Sequence, residues 1–391
     1  MIDTQNAAAA APAPLPPQPR VLEIRFTGSG SEYFRIWAVN LLLIVVTLGL
    51  YIPFAKARRI RYFYANTQVD GQALSFHGDP WKMFRGFVLL VVLMGTYSAA
   101  GKFSGTAAFI AFLILCAVWP ALWRASLQFR LGNTSWRGLR MRFTGSLQGA
   151  YLACAPSYLP SIVLVSSALM MTSTPDELPN FALAATLYGV GALSMVLMGP
   201  WSLALFKRYQ HNGYGIASQH SRADLPVGRF YLLSLKVIGI ALLPTFLAGI
   251  VVAVVAGASG ISGKGSVLSV IVVTLGVVLG YLVFFSTVMP YVAARLQNIV
   301  WNGTRSEALT FNSQLSARSL CGLTLKNWLL TLLTLGLYRP FAAVATARLR
   351  LQAVNIECAD DPADWVSAAT AGHADATGDI AGDFFGIDMG L

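Results

Sequence analysis

Charge is scarce in this chain. Only 12% of its 391 residues are Asp, Glu, Lys or Arg, against about a quarter in ordinary soluble domains. With 55% hydrophobic residues and a mean hydropathy of +0.60, the deficit excludes a typical soluble domain and points to lipid. Roughly 20 apolar residues span a bilayer core, and six runs are long enough: 83–101, 106–124, 147–171, 181–205, 230–256 and 266–294. All 17 acidic residues fall outside them. Ion-coupled carriers commonly keep a carboxylate at membrane depth, so this absence counts against ion-driven transport.

Reactive side chains are equally sparse. Cys116, Cys154, Cys321 and Cys358 form no C-x-x-C pair and no metal-ligand spacing, which speaks against a disulfide framework or a metal site. His77, His211, His220 and His373 are scattered, and no H-E-x-x-H or G-x-S-x-G occurs. Gly257 to Ser266 is glycine-rich but lacks the G-x-x-x-x-G-K-[ST] order of a phosphate loop. No catalytic residue, cofactor or metal is expected, and the chain does not read as an enzyme. The first 20 residues lack the basic start and apolar core of a signal peptide, and their Ala/Pro bias reads as a disordered tail. Residues 356–391 read as a disordered acidic tail, with 21–355 a polytopic membrane domain.

The charge that is present is mostly positive, +11 net. It clusters beside apolar runs, as in Lys56, Arg58, Arg59 and Arg61 next to Tyr62, Phe63 and Tyr64. That is the positive-inside and aromatic-belt pattern, and it argues against nucleic acid as a partner. The expected partners are the lipid bilayer and anionic lipid headgroups, contacted by Lys56, Arg58, Arg59 and Arg61. Lys236, alone inside an apolar run, is expected to snorkel to such headgroups. Three connections are short and nearly uncharged: Gly101 to Gly105, Met171 to Asn180 and Gly257 to Gly265. The loop rule puts them outside and the long basic connections inside, giving three helical hairpins with both chain termini in the cytoplasm.

One segment occurs twice. Asn40 to Ala55 reads NLLLIVVTLGLYIPFA, and Asn327 to Ala342 reads NWLLTLLTLGLYRPFA. Asn, Thr-Leu-Gly-Leu-Tyr and Pro-Phe-Ala keep one register. Each apolar run is short and is followed by Gly and Pro, which break helices. The pair is expected to be either re-entrant from the cytoplasmic side or fully spanning. Asn40, Gly49, Tyr51, Pro53 and their counterparts Asn327, Gly336, Tyr338, Pro340 are the candidate ligand-path or structural residues, because duplicated broken helices often build transport sites.

Strand-like alternation also recurs, in Leu22-x-Ile24-x-Phe26, Leu139-x-Met141-x-Phe143, Leu74-x-Phe76 and Leu309-x-Phe311. Pro53 to Asn66, Pro120 to Asn133 and Pro290 to Asn302 each run from Pro through a basic stretch to an Asn turn. The expected fold is therefore an all-α membrane protein: a polytopic helical bundle of six full spans, two motif helices, and a small cytoplasmic β-cap.

The chain resembles the YjgN-like family of bacterial inner-membrane proteins of unknown function. The resemblance rests on Phe26-Thr27-Gly28, Tyr33 to Trp37, Asn40 to Pro53, Arg58 to Tyr64 and Asn66-Thr67-Gln68-Val69-Asp70-Gly71. It covers about residues 21–355 and implies an inner-membrane location without a reaction or ligand. The functional expectation is binding or passage of a small molecule or lipid through the bundle. The alternative is a membrane scaffold or envelope-stress component that holds anionic lipid or a protein partner.

Overall fold

The computed structural model describes residues 20–171, 180–258 and 267–375. Most of the two expected outer loops near 171–180 and 257–265, and nearly all of the Ala/Pro tail, lie outside them.

Ten helices form five hairpins. Three hairpins are long: α3 (Pro80–Phe103) with α4 (Gly105–Gly132), α5 (Leu147–Leu169) with α6 (Phe181–Asn212), and α7 (Val227–Ala258) with α8 (Val267–Asn302). They occupy the six expected spans. Helices α3 to α6 and the Thr274–Asn302 part of α8 are long and apolar enough to cross a membrane. Two hairpins are short and hold the matching segments: α1 (Gly30–Val46) with α2 (Ile52–Ala65), and α9 (Ala317–Leu333) with α10 (Arg339–Leu351). Each helix packs on its neighbour in sequence, and α10 packs on α1, so the ten close into a ring.

Short strands stitch the hairpins together. They are β1 (Arg20–Phe26), β2 (Thr67–Val69), β3 (Gln72–Phe76), β4 (Thr134–Trp136), β5 (Leu139–Phe143), β6 (Tyr214–Ile216), β7 (Gln219–His220), β8 (Arg222–Ala223), β9 (Thr304–Arg305), β10 (Leu309–Ser313) and β11 (Val354–Cys358). All pair antiparallel in one sheet, ordered β7-β6-β5-β4-β3-β2-β1-β11-β10-β9-β8. The two sheet ends, β7 and β8, are separated in sequence by Ser221 alone. Ser221 N–H donates to the Tyr214 carbonyl at 2.9 Å, and its hydroxyl donates to the carbonyls of His211 and Tyr214. The sheet thus curls into a near-complete barrel, which leaves almost no free edge.

This corrects the expected helical bundle with a small β-cap. The strands run two to seven residues, most of them too short for alternation to show, and the pairings β1–β2, β3–β4, β5–β6, β8–β9 and β10–β11 each span a whole helical hairpin. Residues 356–375, expected in the acidic tail, contribute the end of β11 and helix α11 (Pro362–Asp375), whose Trp365 is buried in the barrel core with Leu22, Trp136, Leu139 and Cys358.

The same devices recur at all five junctions where an even-numbered helix returns to the barrel. A buried Pro stands thirteen residues before each junction residue: Pro53 before Asn66, Pro120 before Asn133, Pro200 before Gly213, Pro290 before Gly303, and Pro340 before Ala353. In α4, α6 and α8 the Pro lies inside the helix, whereas α2 and α10 begin at it. The junction carbonyl then accepts from the residue just past the strand that enters the same hairpin. Examples are Thr27 N–H to Asn66 at 2.9 Å, His77 N–H to Asn133 at 2.8 Å and Gln314 N–H to Ala353 at 2.9 Å. Thr67, Thr134 and Thr304 each send a hydroxyl back four residues to a helix carbonyl at 2.7 Å, satisfying the helix end as it turns into strand. Odd-numbered helices start on side-chain caps from Ser29, Asp79, Ser146 and Ser316.

Candidate functional site

The matching segments fold identically, as a helix, a tight turn and a second helix. In one copy Thr47 donates its hydroxyl to Leu43 O at 2.7 Å and accepts from Tyr51 N–H at 3.0 Å, while Gly49 N–H bonds Ile44 O at 2.8 Å. In the other, Thr334, Leu330, Tyr338, Gly336 and Thr331 make the same three bonds at 2.7, 3.0 and 2.7 Å. Gly49 and Gly336 sit at φ 94° and 95°, where a side chain is strained. Pro53 and Pro340 start the returning helices. Tyr51 stacks on Phe54 and Tyr338 on Phe341. The segments are hairpins that return to the barrel, not single helices.

Their tips are apolar. Leu48 and Leu335, at φ 51° and 50°, are each 94% exposed. Helices α1 and α9 have 17 residues each, and α10 has 13. At about 1.5 Å per residue they reach about 20–25 Å, short of a roughly 30 Å hydrocarbon core.

Asn40 and Asn327 are both buried at 6% exposure, and the Oδ1 of each has no hydrogen-bond partner. Asn327 Nδ2 faces Thr346 Oγ1 at 3.3 Å. The two differ in what they border, for Asn327 lines the larger of two cavities and Asn40 lines neither.

That cavity is a vestibule of about 1030 Å³ between α2, α9 and α10. Arg59, Arg339 and Arg350 line it with Asn327, Thr331 and Gly336, and no carboxylate does. Arg350 donates to Gln297 Oε1 at 2.9 Å, and Lys207 on α6 lies within electrostatic reach of it. A second cavity of about 460 Å³ fills the barrel and is mostly apolar, with Leu22, Leu74, Trp136, Met141, Ile356 and Trp365 among its walls. Its single charged wall residue is Arg130, which donates to Tyr64 Oη at 3.0 Å. Phe63 and Tyr64, at the end of α2, line both cavities. Tyr214, also in the barrel wall, is a neutral phenol. Burial pushes its pKa up to about 12 against the opposing pull of Arg130.

The residues expected at lipid headgroups divide. Arg59 faces the vestibule and Arg61 donates to the Gly78 carbonyl at 2.9 Å. Arg58 lies over the Tyr51 ring at 5.6 Å, and Lys56 and Lys236 are exposed on α2 and α7. Arg61 has counterparts. Arg124 donates to Gly145 O at 2.7 Å, Arg208 to Leu225 O at 2.8 Å, Asn298 to Leu315 O at 3.0 Å and Arg348 to Gly28 O at 2.8 Å. These five contacts tie each even-numbered helix to the start of the next hairpin. Sequence reasoning missed Arg130 and Arg350 as cavity residues. Their common place, three residues before the junctions at Asn133 and Ala353, was a usable signal.

A family profile described as "Bacterial protein of unknown function (DUF898)" matches residues 21–384. The chain is 23% identical over 341 residues to inner membrane protein YjgN of Salmonella typhimurium, covering 82% of this chain and 84% of that protein. It is 27% identical over 185 residues to inner membrane protein YjgN of Escherichia coli K12, covering 46% of this chain and 45% of that protein. Against the Escherichia coli relatives, the matched part of the chain spans just under half their length. No solved structure matches.

Proposed function

The chain belongs to the DUF898 family of bacterial proteins of unknown function, and on that premise we propose that it is a multi-pass inner-membrane protein whose vestibule binds an anionic small molecule or lipid. One observation carries this reading. Arg59, Arg339 and Arg350 line one cavity that has no carboxylate in its lining. Cations gathered without counter-charge favour an anion, and guanidinium groups match carboxylate and phosphate geometry. Asn327 adds a buried, unsatisfied acceptor in the same wall, which suits a hydroxyl or amide donor on the ligand.

The inner-membrane placement is supported by the relatives named above and by the apolar helices. Arg61, Arg124, Arg208 and Arg348 lie on the barrel-side parts of the helices, so the positive-inside rule puts the barrel and both described chain ends in the cytoplasm. The short hairpins then dip into the bilayer from that side, with Leu48 and Leu335 at their tips.

Native mass spectrometry of the purified chain, with added phosphatidylglycerol against phosphatidylcholine, tests the reading. Preferential retention of the anionic lipid, reduced about tenfold or more by Arg59→Gln with Arg350→Gln, is expected from losing charge-assisted bonds. A small anion carried through purification and lost in the same variant supports the small-molecule form. Equal retention of both lipids and of every anion by wild type and variant overturns the reading and favours a scaffold role.

A further inference from the structure

The barrel interior is a mostly apolar cavity of about 460 Å³. Its wall draws on nearly every strand, and helix α11 closes one side through Trp365. Most of its polar wall groups are already used. Thr67, Thr134 and Thr304 bond back to helix carbonyls, and Gln219 Oε1 accepts from Ser306 Oγ and Ala308 N–H at 3.1 Å each. An apolar cavity with few free polar groups and one charged residue at its edge has the make-up of a site for an apolar body with a polar end.

We infer that the barrel holds a single acyl-type chain whose carboxylate or phosphate end is anchored by Arg130 beside Tyr64, on the side of the barrel where Tyr64 also lines the vestibule. This rests on the anion reading and sharpens it: the ligand is an anionic, one-chain amphiphile. The five-residue strands β3 and β5 give the barrel a depth of about 16 Å at about 3.3 Å per residue. At roughly 30 Å³ per heavy atom, the liquid share of a water, the volume admits on the order of 15 such atoms. That suits one chain and not two. Arg130 keeps its terminal nitrogens for the ligand, because its bond to Tyr64 uses Nε. Arg350 and Arg59 lie beyond Phe63 and Tyr64, where a larger headgroup would extend.

The test uses the full chain in detergent and a twelve-carbon fatty acid carrying a diazirine at its methyl end. After irradiation, adducts are mapped by mass spectrometry of peptides. Adducts on Leu74, Met141 or Ile356 are expected, falling at least tenfold in Met141→Trp, which fills the cavity, and severalfold in Arg130→Gln. Adducts confined to the helices in wild type, or strand adducts unchanged by Met141→Trp and by Leu74→Trp, overturn the inference. If a filling variant does not fold, the wild-type adduct map decides alone. Helix-only adducts together with Arg350-dependent retention of phosphatidylglycerol remove the barrel site and leave the vestibule reading standing. Loss of both removes the parent reading as well.

Discussion

Arg348 donates from its guanidinium to the Gly28 carbonyl at 2.8 Å, across 320 residues of sequence. The bond joins the last helix of the ring to the residue before the first helix's cap, Ser29. It is the closing member of five equivalent contacts, and the β1–β11 pairing, Arg20 to Cys358 through Glu23 to Asn355, lies beside it. Two local features near opposite ends of the chain therefore make one seam.

Replacing Arg348 with Gln should weaken that seam. A hydrogen bond from a charged donor contributes about 1–3 kcal/mol, and the exposed setting of Arg348 puts the expected loss near the lower figure. Thermal unfolding in detergent should show a lower midpoint for Arg348→Gln and for Arg61→Gln, its counterpart at Gly78. Unchanged midpoints in both would mean that the backbone bonds at each junction hold the ring without the side chains.

The tight turns make a paired prediction. Gly336→Ala places a side chain at φ 95° and should cost about 1–2 kcal/mol, with the same expected of Gly49→Ala. Gly86 offers the control: it lies within helix α3 with open space where a Cβ would stand, so Gly86→Ala should be neutral or stabilising by up to about 1 kcal/mol. If unfolding midpoints rank Gly336→Ala with Gly86→Ala, the turn assignment is wrong.

Much of the helical layout was legible because the signals were local. Six apolar runs gave six long helices, and Thr-Leu-Gly-Leu-Tyr in both copies announced a break. The sequence left a re-entrant reversal and a full span both open, and the form of the turn was not visible, since Leu48 and Leu335 take a positive φ that leucine rarely adopts. The barrel was hidden for a different reason. Thr134 to Trp136 is three residues long and finds its partner, β3, across the whole α3–α4 hairpin. Three of the five Pro-to-junction stretches stood out through their Asn turns. Pro200 to Gly213 carries the same Asn-Gly pair, Asn212-Gly213, and was overlooked, whereas the stretch ending at Ala353 has no Asn at its turn. The cavities followed the barrel: Arg350 reads as one more basic residue near a span until the ring shows which way it faces.

Cys358 reports on the lid of the barrel. It is fully buried beneath the start of the segment leading to α11, with its Sγ donating to Asp360 O at 3.0 Å. Burial pushes its thiol pKa up, and the negative charges of Asp360 and Asp361 push it the same way. Alkylation requires the thiolate, so a raised pKa means a smaller reactive fraction at neutral pH, and the rate should climb with pH to a later plateau than a free thiol shows. In a variant with Cys358 as its sole cysteine, maleimide should therefore react slowly in the folded protein and quickly after denaturation. Trp365→Ala removes the side chain that holds α11 in the barrel core and should speed the folded-state reaction while leaving the denatured rate unchanged. A folded-state rate insensitive to Trp365→Ala would mean that α11 does not control access to this side of the barrel.

Leu48 and Leu335 supply the sharpest test of how the short hairpins meet the membrane. A leucine 94% exposed at the tip of a turn gains nothing from water, whereas lipid gives it a favourable place. If the tips end within the hydrocarbon, a cysteine at either position, in an otherwise cysteine-free chain, should resist a membrane-impermeant maleimide added from either side of sealed vesicles. A spin label there should be relaxed by dissolved oxygen more than by a water-soluble nickel chelate. Full spanning would instead bring the tip to the opposite surface, with rapid labelling from that side and accessibility to the chelate. The lengths argue for the first outcome. A 17-residue helix reaches about 25 Å at about 1.5 Å per residue, and α1 begins beside the barrel, so its tip stops before the far interface. Leu48→Asp should then be costly in the membrane, by about 2.5–3.5 kcal/mol if the tip lies near the bilayer centre, and nearly neutral if it reaches water.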